Sequence, residues 1–127
     1  MPVPESATPA AFKIVALIAR RPDLTPEQFR MHYEREHAPL FHHSIPDVVA
    51  DAIVSYSQDH SVALGRGAPA YDCVTEIGFA DLTGVRTWSD WYLGPEGKVL
   101  RDDEERFMDV ARRVVLVTEV RDLGNGR

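Results

Sequence analysis

The segment that decides the fold is residues 12–37, FKIVALIARRPDLTPEQFRMHYEREH. Its first part, Phe12–Ala19, is apolar at both alternating sets of positions after Lys13. Strands buried on one face alternate apolar and polar residues, whereas strands buried on two faces read as continuous apolar runs. The segment therefore predicts a strand that needs cover on both of its faces.

A helix start follows this strand. Thr25 is a favourable N-cap, Pro26 suits the first helical position, and Gln28 lies three residues after the cap, where it can complete a capping box. We expect the helix to run to about His37 and to stop near Pro39, because the residue before a proline avoids the α conformation. At helical spacing one face carries five residues: Phe29, Tyr33, Glu36, His37 and Leu40.

The remaining segments complete the order of elements. Alternation and helical spacing predict strands over 49–57, 71–79 and 114–120, and helices over 81–93 and 96–108. The order β-α-β-β-α-β is the split βαβ pattern, an α+β, ferredoxin-like fold with a four-stranded antiparallel sheet and both helices on one face. Because the first strand is apolar on both sides, the other sheet face needs a cover that one chain lacks. A partner sheet packed face to face would supply it, so we expect a homodimer.

Length and composition narrow the function classes. A chain of 127 residues is one domain, and we expect its folded body at 12–121, between a flexible N-terminal arm at 1–11 and a polar tail at 122–127. Its 14 Lys and Arg against 20 Asp and Glu give a net charge of −6, which argues against nucleic-acid and anionic-membrane partners. No apolar run approaches the length of a membrane span and no signal peptide is evident, so a cytoplasmic location is expected by default.

His37 is the strongest candidate for chemistry. It lies on the apolar helix face, one turn beyond Tyr33, and a neutral imidazole there can act as a general acid or base near neutral pH. Tyr33 would donate a hydrogen bond to a substrate oxygen. Two other interpretations of His37 stay open: it caps the C-terminus of the helix, or it is a core histidine whose hydrogen bonds are satisfied.

Glu76 is the second candidate. A carboxylate within an apolar strand is costly unless it is paired or functional, so Glu76 could serve as a base. The alternatives are that this strand face is partly solvated or that Glu76 pairs with an arginine. Asp72, which opens the strand, is more typical of a turn or an ion pair.

Metal, disulfide and nucleotide chemistry are not expected. The spacing of His32, His37, His42 and His43 is poor for a metal site. Cys73 is the single cysteine, so no internal disulfide or cysteine-based zinc site can form, and its place inside a strand favours a core residue over a nucleophile. Neither a glycine-rich phosphate loop nor a nucleophile elbow is present, so we expect no cofactor.

The other conspicuous side chains are aromatic or acidic. Four aromatic residues in the second half of the chain are expected in the core or in a pocket wall: Trp88, Trp91, Tyr92 and Phe107. An aromatic wall would suit a flat hydrophobic ligand. The acidic run Asp102–Glu105 is typical of a solvated helix start, where the helix dipole favours negative charge.

Three motifs in order resemble the EthD family. They are RRPDLTPEQFRMHYEREHAPL at 20–40, YDCVTEIGF at 71–79 and LRDDEERFMD at 100–109, and the resemblance covers about residues 12–120. The chain departs from the usual pattern at Cys73 and Thr75, where Gly and Ala are more common. It also has His32-Tyr33 in place of a Tyr-Trp pair. These changes bear on the shape and polarity of the pocket.

The resemblance implies a dimeric α+β barrel, in which two ferredoxin-like sheets meet face to face, with a hydrophobic pocket between the helices and the sheet of each protomer. Family members are linked to ether-degradation gene clusters and aromatic polyketide pathways, and related barrels include cofactor-free monooxygenases, cyclases and lactone isomerases. Fold alone does not choose among these reactions. The resemblance treats Asp103 and Arg106 as a structural pair and places five residues in the pocket: Tyr33, His37, Glu76, Trp88 and Phe107.

The leading hypothesis is a small enzyme without a cofactor that uses general acid/base chemistry on a hydrophobic aromatic or cyclic keto or hydroxy compound. It would be a dehydratase, decarboxylase, isomerase or oxygenase, hence a lyase, isomerase or oxidoreductase of a catabolic or polyketide-like pathway. The alternatives are a non-catalytic binding or accessory protein for a small hydrophobic metabolite, and a haem- or metal-dependent enzyme. The hypothesis assigns catalysis to His37, Tyr33 and Glu76, and substrate binding to Phe29, Trp88, Trp91 and Phe107.

Overall fold

The computed structural model describes residues 8–127 and contains one four-stranded antiparallel sheet packed against helices. Residues 1–7 of the expected arm lie outside the described part. The strands are β1 (Phe12–Ile18), β2 (Ile53–His60), β3 (Cys73–Phe79) and β4 (Val114–Glu119). The α-helices are α1 (Pro26–His32), α2 (Ala38–Ser44), α3 (Asp47–Ala52), α4 (Leu82–Leu93) and α5 (Lys98–Phe107). A π-helical turn (Tyr33–His37) joins α1 to α2, and short 3₁₀ turns (Pro95–Gly97 and Val110–Arg112) flank α5.

The start of the first helix is confirmed. The Thr25 hydroxyl accepts a hydrogen bond from the backbone N–H of Gln28 at 3.1 Å, and the Gln28 side chain accepts one from the Thr25 N–H at 2.8 Å. This reciprocal capping box satisfies two donors that the helix itself leaves free. The cap fixes where α1 begins, and therefore which of its residues point into the protein.

The predicted end of this helix is wrong. The chain stays helical past Pro39 to Ser44, because residues 33–37 form a wider π turn in which the Ala38 N–H donates to the Tyr33 carbonyl, five residues back. A proline ring normally clashes with the carbonyl four residues before it, and a wider turn accommodates that ring. The π turn also directs Tyr33 and His37 inward, where both are buried.

The second strand begins later than expected. The segment Asp47–Ala52 is a short helix that follows Pro46 and buries Val49, so β2 starts at Ile53 rather than at residue 49. A β-bulge between Ile53 and Ser55 then shifts the register. As a result Ile53 and Tyr56 both pack against the main core, although simple alternation predicts them on opposite sides.

The sheet has the order β2-β3-β1-β4 and two unlike faces. Ile14 of β1 lies opposite Ile77 of β3 and Val117 of β4, and the residues in phase with Ile14 face the helices. The opposite face, called here the open face, is formed mainly by apolar side chains of β1, β3 and β4: Val15, Leu17, Val74, Val114 and Leu116. The predicted α+β, ferredoxin-like fold is confirmed, and its open face matches the two-sided apolar pattern of β1.

The two helices predicted over 81–93 and 96–108 are also confirmed. Asp81 caps α4 by accepting a hydrogen bond from the Gly84 N–H at 2.8 Å. Gly94 ends this helix, and a 3₁₀ turn precedes α5, which therefore begins at Lys98 rather than at Glu96. Within residues 8–127, no helix is long and apolar enough to cross a membrane.

Candidate active site

A cavity of about 290 Å³ lies between the helices and the sheet. Hydrocarbon and aromatic side chains form most of its wall: Ile14, Ala16, Ile18, Phe41, Ile77, Trp88, Leu93, Leu100, Met108 and Val115. Polar side chains line the rest: Tyr33, His37, Tyr56, Thr75, Ser89, Tyr92, Glu104 and Arg113. A mostly apolar pocket with a few convergent polar groups is the usual form of a small-molecule site.

His37 lies at the centre of the polar part, and its two ring nitrogens face two carboxylates. Nδ1 is 2.8 Å from Oδ2 of Asp103, and Nε2 is 3.5 Å from Oε2 of Glu104. The ionised Asp103 carboxylate can only accept a hydrogen bond, so Nδ1 carries a proton and donates it. Nε2 is left facing Glu104 and the cavity, in the position that a proton-transfer group requires.

Glu104 links His37 to two further cavity groups. Its Oε1 accepts hydrogen bonds from the Tyr92 hydroxyl and from Nη1 of Arg113, the latter at 2.9 Å. Burial raises the pKa of the Glu104 carboxyl, but the neighbouring His37 ring, the hydrogen bond from Tyr92 and the positive charge of Arg113 outweigh it. The pKa of Glu104 therefore lies below its ordinary value, and the carboxylate stays ionised although it is buried.

Asp103 is the shared partner of two histidines. Besides His37, it accepts from Nε2 of His32, which is 3.1 Å from both carboxylate oxygens, and from Nη1 of Arg106 at 3.3 Å. Burial raises the pKa of Asp103, while the hydrogen bonds from His37 and His32 lower it, and the net shift is downward. The Asp103–Arg106 pair implied by the family resemblance is present, but Asp103 also orients His37.

Tyr33 faces the cavity beside His37. Its hydroxyl is 2.5 Å from Oγ1 of Thr75, and its ring lies edge-on to the His37 ring, with the ring centres 5.5 Å apart. Burial raises the pKa of Tyr33 well above its ordinary value, so the phenol keeps its proton. When Thr75 donates to Tyr33, the phenolic proton is free to bind an oxygen atom in the cavity.

The predicted binding residues divide into wall and core. Trp88 lines the cavity, as expected of a pocket residue. Phe29 and Phe107 are buried in a cluster behind it, where Phe107 contacts the rings of Tyr33 and His37. Trp91 packs against Trp88 from outside. Phe29, Trp91 and Phe107 do not line the cavity, and they support the residues that do.

Glu76 is separated from this site by the sheet. It lies opposite Val15, out of phase with Thr75 and Ile77, and therefore on the open face. Its carboxylate pairs with Nζ of Lys13 at 3.2 Å, so the partner is a lysine rather than an arginine. The structure thus corrects the placement of Glu76 in the pocket with His37.

Three other predicted residues have structural positions. Asp72 accepts a hydrogen bond from the Arg20 N–H at 2.8 Å and pairs with its guanidinium, as a turn or ion-pair residue would. Cys73 is fully buried, and burial raises the pKa of its thiol to about 11, which leaves it a poor nucleophile. In the described part of the chain, no group of three or more histidine, cysteine and carboxylate side chains could hold a metal ion.

Sequence reasoning placed Asp103 and Glu104 wrongly in a solvated helix start. They lie in the middle of α5, on its buried face, because Leu100, Asp103, Glu104 and Phe107 follow the i, i+3, i+4, i+7 spacing of an amphipathic helix. Two acidic residues at core positions between Leu100 and Phe107 were the signal that could have identified them. The interpretation of His37 as a helix C-cap is also wrong, since the helix continues beyond it.

The fold and the cavity together define an α+β, ferredoxin-like domain with a pocket between its helices and sheet. The EthD domain model matches residues 21–111, and the chain belongs to the EthD family. A search of the curated proteins by sequence finds no match.

Solved structures share the fold at low sequence identity. An ethyl tert-butyl ether D (EthD) family protein from Bacillus halodurans C-125 is 18% identical, with a TM-score of 0.63 over 87% of this chain and 98% of that one. A dimeric ferredoxin-like protein of unknown function from Thermobifida fusca is 16% identical, with a TM-score of 0.59 over 86% and 90%. Hydroxynitrile lyase from Passiflora edulis is 9% identical, with a TM-score of 0.60 over 90% and 96%.

Proposed function

We propose that this protein is a small enzyme that performs general acid/base chemistry, without a cofactor, on a hydrophobic aromatic or cyclic keto or hydroxy compound. The observation that carries the proposal is the buried His37, held at Nδ1 by Asp103, with Nε2 turned toward Glu104 in an apolar cavity. Burying two carboxylates beside a histidine costs folding free energy, and such clusters occur at sites that transfer protons. The candidate reactions are dehydration, decarboxylation, isomerisation and oxygenation.

The proton transfer is assigned to Nε2 of His37. When Nε2 takes a proton from a carbon next to a carbonyl, positive charge develops on the ring between two carboxylates. Asp103 and Glu104 stabilise that charge, and both have pKa values below their ordinary range. A positioned general base of this kind contributes about 10²–10⁴-fold to a rate.

The remaining cavity groups orient the substrate. The Tyr33 hydroxyl, protonated because of its raised pKa, would donate to the substrate oxygen on which negative charge develops. Phe41, Tyr56 and Trp88 form an aromatic wall, with ring centres 4.4 Å apart for Phe41 and Tyr56 and 5.2 Å apart for Phe41 and Trp88. This wall supports a flat ring as the bound part of the substrate.

A binding or accessory role is the second candidate. It is favoured by the contact between the Tyr33 and Thr75 hydroxyls, which gives each group a hydrogen-bond partner without a substrate. In that case His37 and Glu104 would anchor a ligand by hydrogen bonds rather than transfer a proton. The fold similarity to a hydroxynitrile lyase supports a small-molecule role but does not choose between turnover and binding.

The proposal includes a homodimer formed through the open face. Val114 and Leu116 are the exposed apolar residues of β4 on that face, 38% and 50% accessible, and they continue the apolar surface of Val15 and Leu17. An exposed apolar patch of this kind marks an interaction site, and a second sheet packed face to face would cover it. A fold neighbour from Thermobifida fusca is dimeric, which supports the same assembly here.

The test is deuterium incorporation from D₂O into a panel of cyclic and aromatic ketones, such as 2-tetralone and acetophenone, followed by NMR. We expect the protein to accelerate exchange of the hydrogens next to the carbonyl for at least one compound. His37→Asn keeps a donor for Asp103 but has no proton-transfer nitrogen, so it should lose about 10²–10⁴-fold of the acceleration. His43→Asn is the matched control, because His43 is exposed on the following helix.

The outcomes separate the two candidates. Exchange that depends on His37 and not on His43 supports the enzyme. Binding of panel members without accelerated exchange in any of them supports the binding protein. An acceleration that survives in His37→Asn contradicts the role given to His37.

A further inference from the structure

The cavity has an apolar opening, called here the mouth. Leu93 and Val115 line it, yet their exposed fractions are 71% and 53%. The isoleucines of the wall and Leu100 are buried. The cavity therefore opens to solvent between the C-terminal end of α4 and strand β4, where Leu93 and Val115 form an apolar part of the rim beside the partly exposed Arg113.

The apolar surface continues outward from this mouth along β4. Val115 lies opposite Ala16, and Val117 lies opposite Ile14, so both face the helix side of the sheet. Val117 is 57% exposed. Strand β4 is at the edge of the sheet, and its helix-side residues lie in line with the cavity mouth.

The closed end of the cavity sets a size limit. Its walls are side chains of two packed core clusters, represented by Phe41, Trp88 and Leu100 on one side and Ile18 and Met108 on the other. Packed interiors resist expansion, so a ligand that is too long for the cavity must extend through the mouth. The part that leaves the cavity then meets Leu93, Val115 and Val117, which favour a hydrocarbon chain over a polar one.

We propose that the ligand is amphipathic, with a ring and its carbonyl or hydroxyl group beside His37 and an apolar chain that leaves through the mouth over Leu93, Val115 and Val117. The inference rests on the proposed function only in using the same cavity. It specifies a substrate class: alkyl-substituted ring ketones or phenols rather than compact polar acids.

The experiment measures dissociation constants for a series from acetophenone to 4-hexylacetophenone, by calorimetry and by quenching of the fluorescence of the two tryptophans, Trp88 and Trp91. A fully buried methylene strengthens binding by about fourfold, so a chain on a half-exposed rim should add about twofold per carbon. Val115→Thr and Leu93→Gln should flatten this dependence on chain length. Val62→Thr, at an exposed position outside the cavity lining, is the control.

The result is independent of catalysis, because His37→Asn should keep the same dependence on chain length. If His37→Asn abolishes exchange of every ketone but keeps this dependence, both proposals are supported. An affinity that does not rise with chain length overturns the inference, as does failure of the whole series to bind. It is also overturned if Val115→Thr and Leu93→Gln leave the dependence unchanged and alter only the monomer–dimer equilibrium, because a second copy would then cover the mouth.

Discussion

Carboxylates on the two sides of the sheet differ in burial and in their partners. On the helix side, Asp103 and Glu104 are buried and hold His37 between them. On the open face, Glu76 pairs with Lys13, and the two side chains remain 29% and 31% exposed. A carboxylate within an apolar segment therefore does not by itself predict a site residue, because the face on which it lies decides whether it reaches the cavity.

The energetic difference between the faces follows from solvation. Removing one partner from a buried ion pair costs about 3–5 kcal/mol, since the other charge is left without compensation. A pair with solvent access contributes only about 0–1 kcal/mol. The helix-side network should therefore respond strongly to substitution, and the Lys13–Glu76 pair should respond weakly.

The largest expected effect is on the helix side, at the aromatic support of the site. Phe107→Ala should lower the free energy of unfolding by about 3–5 kcal/mol, because Phe107 is completely buried and its ring contacts the rings of Tyr33 and His37. Urea unfolding measures the change. Leu123→Ala, at an exposed position, is the control. An equal loss of unfolding free energy in both variants would contradict the role given to the burial of Phe107.

The next largest effect is expected when the charge of Glu104 is removed from the buried network around His37. Glu104→Gln should cost about 3 kcal/mol at pH 7, the lower end for a broken buried pair, because Arg113 keeps partial solvent access. Asp103 and Glu104 have pKa values below those of the unfolded chain, so the unfolded state binds more protons as the pH falls. Their stabilisation is complete above the unfolded pKa, about 4.3 for Glu, and is lost as the pH drops through the lower folded values.

Thermal unfolding between pH 7 and pH 3 checks this point. The wild type should lose stability on acidification, and Glu104→Gln should show a shallower decline from a lower starting value. A decline of the same steepness in both proteins would mean that Glu104 does not contribute to the acid sensitivity.

A smaller effect is expected on the open face, where a substitution should change the association of two chains into a homodimer. Leu116→Asp should weaken the homodimer at least tenfold, because it places a charge on the apolar surface that a partner sheet would cover. Sedimentation velocity at several concentrations measures the shift. Leu123→Asp, outside the strands, should leave the association unchanged, and a monomeric wild type would contradict the assembly.

The smallest effect is expected at Glu76. Glu76→Gln should change stability by less than about 1 kcal/mol and leave ketone exchange within about twofold, because the sheet separates this side chain from the cavity. The exchange assay that compares His37→Asn with His43→Asn applies here without change. If Glu76→Gln lost as much of the exchange acceleration as His37→Asn, Glu76 would have to act in the site.

Most of the fold could be predicted from periodicity and caps. The capping box at Thr25 and the alternation in 71–79 are local signals. The capping box is confirmed, and the alternating strand is confirmed over Cys73–Phe79, two residues later than its predicted start. The same alternation already separates Glu76 from Thr75, so the placement of Glu76 beside His37 was avoidable.

The parts that failed depend on tertiary packing. A π turn before Pro39 has no strong local signal, because it is stabilised where Tyr33 and His37 reach their partners on β3 and α5. The acidic run looked solvated because composition alone does not show which residues of a helix face inward. The spacing of Asp103 and Glu104 between Leu100 and Phe107 carries that information.

The proposed chemistry requires that Asp103 hold the Nδ1 proton of His37 and leave Nε2 to the cavity. Long-range ¹H–¹⁵N NMR of the histidine rings at pH 7 reports the protonation of both nitrogens. We expect a protonated Nδ1 on His37 in the wild type, a change in its chemical shift in Asp103→Asn, and a shift of the Nε2 signal when acetophenone is added. A His37 whose Nδ1 carries no proton, or whose Nε2 does not respond to any cavity ligand, would contradict the account.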